Sequence, residues 1–432
     1  MNSPGIGTPE WYDKLIFGPK DKILRLSSNV NVILRHHPAF AGRFGMDKLR
    51  NCTVIRQALP WDYNGHAFPR DWSENDDRLL AEWLQINPGI FAEGRFVGSC
   101  VETVAHENAF HPVMDYFKSI TWDGEPRADE WAIKYLGVTD SPYVRAVSAK
   151  WLISAVARIE KPGCKADCVL VLEGVEDLGK STVFRKLAVD NRWFTDEVSA
   201  LGTKDADEQL RGIWIAELAE LDALSRAADV AAAKAAISRQ VDRYRPPYGM
   251  RVQDFPRQCV FGATSNRSDW NRDDTGGRRF WPLVCHGDIN IAELEAVRDQ
   301  LWAEAHHRYA QGELWYLDKS NPEAMAVLEA AREEQAKRHE TDAWESLVLN
   351  YLAKEAAEPL KLKELKENGI TIAEVMVAGL HIRRADIRRD QQMRVGGILR
   401  ANGWIRHRKL NPETNILEWR YKAPDDFAKK PD

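Results

Sequence analysis

Gly174-Val175-Glu176-Asp177-Leu178-Gly179-Lys180-Ser181 has the spacing GxxxxGK[ST]. Glycines at both ends let the backbone curl until its N–H groups point inward at phosphate oxygens. Lys180 brings a positive charge to the β- and γ-phosphates of a nucleotide, and the Ser181 hydroxyl is a ligand for Mg²⁺. Gly174, Leu178, Gly179, Lys180, Ser181 and Thr182 are therefore the expected nucleotide contacts, with ATP and Mg²⁺ as the expected cofactors. Glu176 and Asp177 put two carboxylates in a loop meant for a polyanion, so they are expected to face solvent or a neighbour.

Phosphate chemistry also needs an acid and a polar group near the γ-phosphate. Glu217 ends the apolar run in "GIWIAELAELD", with Glu220 and Asp222 behind it, and a carboxylate there can orient Mg²⁺ and the attacking water. Asn266, at the end of "QCVFGATSN", is placed to orient that water. Gly276-Gly277-Arg278-Arg279 presents two guanidiniums on a flexible turn, where one could reach a neighbouring chain's γ-phosphate. Between the acidic and Asn-bearing runs lies Asp242-Arg243-Tyr244-Arg245-Pro246-Pro247-Tyr248-Gly249-Met250-Arg251, two short strands around a Pro-Pro-Tyr-Gly turn. Tyr248 at its tip can stack on bases of any identity while Arg243, Arg245 and Arg251 neutralise phosphates.

The elements that must position these groups follow from hydrophobic pattern. Cys168–Gly174 is a short apolar strand, Lys180–Ala188 a helix directly after it, and Gly212–Leu218 and Gln258–Asn266 are two further strands. A helix at Ala227–Arg239 lies between the latter two. Apolar strands alternating with helices predict an α/β fold with a parallel sheet covered on both faces. Upstream, Leu79, Leu80, Trp83 and Leu84 fall at helical spacing, Phe110–Arg127 reads as a helix ending in Trp122-Asp123-Gly124, and Ser141–Arg158 is a helix stopped by Lys161-Pro162-Gly163. Pro322–Ala357 reads as one or two long helices. From about Pro359 the pattern is helix, helix (Gln392–Asn402), then strands Gly403–Lys409 and Ile416–Lys422.

The chain has 432 residues, 44% hydrophobic and 29% charged, which fits two to four globular domains and excludes a disordered protein. No apolar run approaches a membrane span, and Met1 to Trp11 lacks a signal-peptide pattern, so a cytoplasmic protein without membrane association is expected. Six scattered cysteines, with no CxxC pair, read as reduced structural thiols. The net charge of −5 hides an asymmetry: His381–Lys422 carries +7, a basic module on an acidic body, as expected where one part meets phosphates. Most of the 16 Trp are spaced with other apolar residues and belong to the core.

Taken together, these blocks resemble the virulence-associated E family, whose ATPase core is similar to the superfamily III helicases of phages and viruses. The resemblance is carried by "FHPVMDYFKSITWDGEPR", "PGCKADCVLVLEG", "GKST", "WIAELAELDAL", "ISRQVDRYRPPYG", "DFPRQCVFGATSNR" and "TGGRRFWPL", in that order. It implies a P-loop AAA+ fold assembling as a ring, usually a hexamer, with ATP at subunit interfaces. Glu217 becomes the acidic second motif, Lys234, Asp242 and Arg245 part of the third, Asn266 the polar sensor, and Arg278 or Arg279 the trans-acting finger. The Tyr248 hairpin would line the ring's central channel. Met1–Ser141 is too short for the primase-polymerase domain of many relatives and lacks an acidic cluster, so primase activity is not expected. Ile370–Tyr421 resembles a winged-helix domain that would present Arg388, Arg389, Arg394, Arg406, Arg408 and Lys409 to a duplex backbone.

The expected layout is a flexible tail (1–28), a mainly helical N-terminal domain (29–141), a P-loop AAA+ domain (142–316), a helical connector (317–358), a winged-helix domain (359–424) and a tail (425–432). The expected function is an ATP-dependent, ring-forming DNA motor in phage or mobile-element replication, with single-stranded DNA in the channel, duplex at the C-terminal domain, and replication proteins as further partners. Two alternatives share these residues: a DNA-binding ATPase switch or loader without unwinding activity, and a P-loop small-molecule kinase, which would need neither the Arg pair nor the basic tail.

Overall fold

The computed structural model of the protein describes residues 9–62, 65, 67–198, 201–219, 227–245, 251–268, 270, 279–338, 344–411, 415–425 and 427. The chain divides into two compact units, Met1–Ser268 with Arg278–Gln335, and Asp269–Gly277 with Ala336–Asp432.

The first unit opens with helix α1 (Ser27–His36), strands β1 (Phe44–Asp47), β2 (Cys52–Ile55) and β3 (Arg70–Asp71), then helices α2 (Glu74–Ile86) and α3 (Gly94–Glu107). The helix expected around Leu80 and Leu84 is α2, and both leucines are buried. The strands form an antiparallel sheet that the sequence pattern did not disclose. With four, four and two residues they are too short to display alternation. Within residues 9–28, read from sequence as a tail, Leu15 is buried in the same core and Asn29 binds the backbone of Ile16 and Leu24. The Pro- and Gly-rich segment is thus held by its few apolar side chains.

Helices α4 (Pro112–Ser119), α5 (Trp131–Leu136) and α6 (Pro142–Glu160) lead into strand β4 (Val169–Glu173) and helix α7 (Lys180–Leu187). Strand β5 (Phe194–Thr195), helix α8 (Lys204–Gln209), strand β6 (Ile215–Leu218) and helix α9 (Ala227–Ile237) follow. An antiparallel hairpin, β7 (Val241–Tyr244) and β8 (Gln253–Pro256), precedes β9 (Val260–Ser265), β10 (Phe280–Val284), α10 (Ile291–Ala310) and α11 (Pro322–Ala336). Five strands pair in parallel in the order β10-β4-β9-β6-β5. Every residue of β4 and β9 is buried, so both faces of the sheet's centre are covered, as the apolar runs predicted.

Strand β10 was not anticipated, because Pro282 interrupts its pattern. The sheet order explains its tolerance: β10 is an edge strand, where one missing N–H leaves no ladder partner unsatisfied. The core is built on tryptophans, as expected. Trp151, Trp214 and Trp302 are fully buried, and their indole N–H groups donate to the carbonyls of Phe261, Ala155 and Leu187 at 2.8, 3.0 and 2.9 Å.

The second unit contains α12 (Glu345–Ala356), α13 (Pro359–Glu367), the short α14 (Ile372–Glu374) running into a π turn (Val375–Gly379), α15 (Arg389–Ala401), and an antiparallel pair, β11 (Ile405–Asn411) and β12 (Ile416–Lys422). Val348, Leu352, Val375, Met376, Val395, Leu399 and Tyr421 form its core. Among the described residues no helix is long and apolar enough to cross a membrane. None of the six cysteines is disulfide-bonded.

Candidate functional site

The loop between β4 and α7 begins at Gly174 (φ 157°) and ends at Gly179 in the left-handed region (φ 85°), where a side chain would be strained. A Cβ at Gly174 would lie 2.7 Å from Leu178 Cδ1 and 3.2 Å from the Cys285 carbonyl, so the turn closes only around glycine. Gly179 caps α7 without a side-chain hydrogen bond, which leaves the helix's first N–H groups available to an anion. Glu176 and Asp177 are exposed, so the loop carries its two carboxylates outward, as polyanion binding requires.

Three strand ends converge on this loop. Lys180 is buried, and its ammonium donates to the carbonyls of Gly174 (2.8 Å) and Val175 (2.6 Å) and to Asn266 Oδ1 (2.9 Å). Ser181 Oγ donates to Glu217 Oε1 at 2.7 Å, and Thr264 Oγ1 donates to the same oxygen at 2.9 Å. Glu217 is fully buried, and its second oxygen, Oε2, has no hydrogen-bond partner among the described residues. Burial pushes the Glu217 carboxyl above the usual range, against the two hydroxyl donors that favour the ionised form. Thr182 follows Ser181 in the first turn of α7. Burial also pushes the Cys285 thiol beside Gly174 up to about 12, which keeps it un-ionised.

Parallel register is what brings these groups together. Glu173 pairs with Ser265, and Leu218 with Ala263, so the ends of β4, β6 and β9 lie side by side. Open α/β sheets bind ligands at such carboxyl ends. Thr264 was missed from sequence; a hydroxyl residue two positions before Asn266 in an apolar run was the only signal. Gly262 was missed as well. A Cβ there would come within 2.3 Å of the Phe184 ring, so this glycine lets α7 lie close against β9.

Other predicted residues sit elsewhere. Arg279 immediately precedes β10, and Phe280 pairs with Val169 at the beginning of β4, while the Gly174–Gly179 loop leaves the end of β4. Five residues of strand, about 16 Å, separate Arg279 from its own loop. Its Nε donates to Ser238 Oγ at 2.7 Å. Arg278, Tyr248, Glu220 and Asp222 lie outside the described residues.

The β7–β8 hairpin also emerges at the amino ends of the sheet strands, joining β9 through Arg257, Gln258 and Cys259, and so does not lie beside its own chain's phosphate loop. Its base is a buried charge cluster. Arg257 donates to both Asp242 oxygens and to the Ala236 carbonyl, and Arg239 holds Asp207 at 2.6 Å. Asp242 is therefore a structural anchor of the hairpin. Arg243, Arg245 and Arg251 are exposed on it, and Lys234 is buried in α9.

In the second unit Arg388 and Arg389 stand exposed at the start of α15, and the Arg394 guanidinium lies 4.2 Å from the Trp344 ring centre. Arg406 and Arg408 share one face of the β11–β12 pair. Strand alternation turns Lys409 to the opposite side, where it binds Asn368 Oδ1.

Fold and site thus define an α/β protein with a parallel sheet and a glycine-bounded loop, a lysine, a serine and a buried carboxylate at its strand ends. The virulence-associated protein E-like domain matches residues 117–339, which include all of that sheet, and the chain belongs to this family. Among solved structures it is similar to apo forms of the NrS-1 C-terminal region, at 12% identity over 84% of both chains with TM-scores of 0.40 and 0.41. No curated protein matches it.

Proposed function

We propose that the chain is an ATP-dependent DNA motor, a ring-forming superfamily III-type helicase or translocase with a P-loop AAA+ core. The single observation that carries this reading is the cluster of Lys180, Ser181, Glu217, Thr264 and Asn266 at adjoining strand ends. The residues fit a magnesium nucleotide. Gly174 and Gly179 leave the backbone open to phosphate, Lys180 supplies the charge, and Ser181 with the unpartnered Glu217 Oε2 would hold Mg²⁺. When bound, the metal neutralises charge on the phosphates. Glu217 would hold and orient the water, its raised proton affinity suiting it to accept a proton, and Asn266 would fix that water's position.

The distance of Arg279 from its own loop supports a site completed by a second copy, hence a ring. The exposed Arg243, Arg245 and Arg251 support single-strand binding by the β7–β8 hairpin in the channel, and the exposed arginines of α15 support duplex binding by a winged-helix C-terminal domain. A phage or mobile-element replication setting follows from the same reading. DNA-stimulated ATP hydrolysis tests it: turnover that ignores DNA would favour the kinase alternative, and stimulated turnover without strand displacement would favour the switch or loader.

A further inference from the structure

Strands β11 and β12 form a hairpin whose two faces differ sharply in chemistry. His407, Lys409, Glu418 and Arg420 lie on one face, where the charged groups are paired from within: Lys409 binds Asn368, and Arg420 binds Glu418 (2.6 Å) and the Gly369 carbonyl (3.1 Å). Arg406, Arg408, Leu410, Leu417, Trp419 and Tyr421 lie on the other. Tyr421 anchors that face in the core, but beyond it the surface is open: Leu410 is 49%, Leu417 60% and Trp419 44% exposed. The guanidinium carbons of Arg406 and Arg408 lie 3.9 and 4.7 Å from the Trp419 ring centre. Neither arginine has an ion pair or hydrogen bond among the described residues.

Adjoining exposed Leu410, Leu417 and Trp419, bordered by two guanidiniums without a carboxylate partner among the described residues, are the mark of an interaction surface. The occupant must be anionic, to complement the two arginines within a stretch of net charge +7, and it must offer a flat π-face to the indole. Nucleic acid satisfies both demands. Intact duplex satisfies only the first, because its bases are stacked inside and its phosphates would leave the indole and leucines wet. We infer that this face binds single-stranded DNA, an unpaired base stacking on Trp419 while Arg406 and Arg408 meet the flanking phosphates. The hairpin then reads the unpaired side of a junction, a role distinct from gripping the duplex backbone. This deepens the DNA-acting reading above and rests on it.

The test uses the full chain with a fluorescent oligothymidylate, a blunt duplex of equal length, and an oligothymidylate bearing one 5-iodouracil. Trp419→Ala should weaken oligothymidylate binding about five- to hundredfold, as expected for one lost base–aromatic stack, and change duplex binding less than twofold. Trp419→Phe should retain most of the affinity. Arg406→Ala with Arg408→Ala should weaken single-strand binding and flatten its salt dependence. Ultraviolet crosslinking of the iodouracil should yield an adduct on the Trp419 peptide. An adduct confined to the β7–β8 hairpin, unchanged single-strand affinity in Trp419→Ala, or equal loss of duplex affinity would each overturn the inference, the first two leaving this face to a protein partner. If wild type hydrolyses ATP under DNA stimulation while Trp419→Ala binds normally, only this inference falls. If wild type binds no DNA, the motor reading falls with it.

Discussion

The Ser181 hydroxyl donates to Glu217 Oε1 across 2.7 Å, joining the first turn of α7 to the end of β6. The two residues are 36 positions apart in the chain, and the sheet register alone makes them neighbours. Lys180 lies beside them in the same site, and Lys180 and Glu217 should fail differently when replaced.

Lys180→Ala should abolish nucleotide binding, read by titration with a fluorescent ATP analogue. Glu217→Gln should bind normally and lose turnover by at least a hundredfold. Full hydrolysis by Lys180→Ala would refute the phosphate-loop reading.

Glu217→Gln should also stabilise the fold in a pH-dependent way. Burial raises the folded-state pKa of Glu217, so its carboxyl is accommodated at low pH and costs stability as pH rises through that value. The melting temperature of Glu217→Gln should therefore match wild type at low pH and exceed it at alkaline pH. A gain that shrinks with rising pH would contradict the assignment.

Asp76 behaves with the opposite sign. Burial alone would raise its carboxyl, but hydrogen bonds from Arg70, Ser73 and Trp61 outweigh it and hold the group well below the usual carboxylate range. Its contribution is present above the ordinary aspartate pKa of about 4 and is lost as pH falls through the depressed folded value. Asp76→Asn should cost about 3 kcal/mol at neutral pH, by leaving Arg70 without its main partner, and much less at pH 2. Denaturant titrations at both pH values read this directly.

Arg279 stands at the far end of the sheet from its own phosphate loop, so its effect should cross between chains. Inactive Arg279→Ala mixed with inactive Lys180→Ala should regain part of the activity, because some interfaces would then be intact on both sides. Absence of recovery in mixtures shown by native mass measurement to co-assemble would point to a site built within one chain.

Two double variants probe the packing behind the site and the proposed DNA contact of the β7–β8 hairpin. Gly262→Ala should cost about 1–3 kcal/mol by forcing the Phe184 ring away from β9, and Phe184→Leu should recover part of that loss. Additive losses would mean the two residues do not share a packing constraint. Tyr248→Ala with Arg251→Ala should weaken single-stranded DNA binding at least tenfold in an anisotropy titration; wild-type affinity would remove the β7–β8 hairpin from the DNA path.

Local spacing and pattern were enough to locate the glycine loop, the strand before it and the helix after it, the carboxylate at Glu217, the amide at Asn266 and the first strand of the hairpin expected at Asp242–Arg251, whose second strand lies further on, at Gln253–Pro256. Each of these is written within about ten consecutive residues, where periodicity and turn chemistry act. The remainder depends on strands that are distant in sequence. Only the parallel register delivers Thr264 to Glu217, and only the approach of α7 to β9 makes Gly262 necessary. Pro282 hid β10 because its tolerance depends on a place at the sheet's edge, which no local window contains. Charge composition marked the C-terminal basic residues as a group, yet strand pairing divides them, turning Lys409 to one face and laying Arg406 and Arg408 against Trp419 on the other. Side-chain alternation was legible beforehand; which face the core would cover was decided by Tyr421 and the helices that bury it.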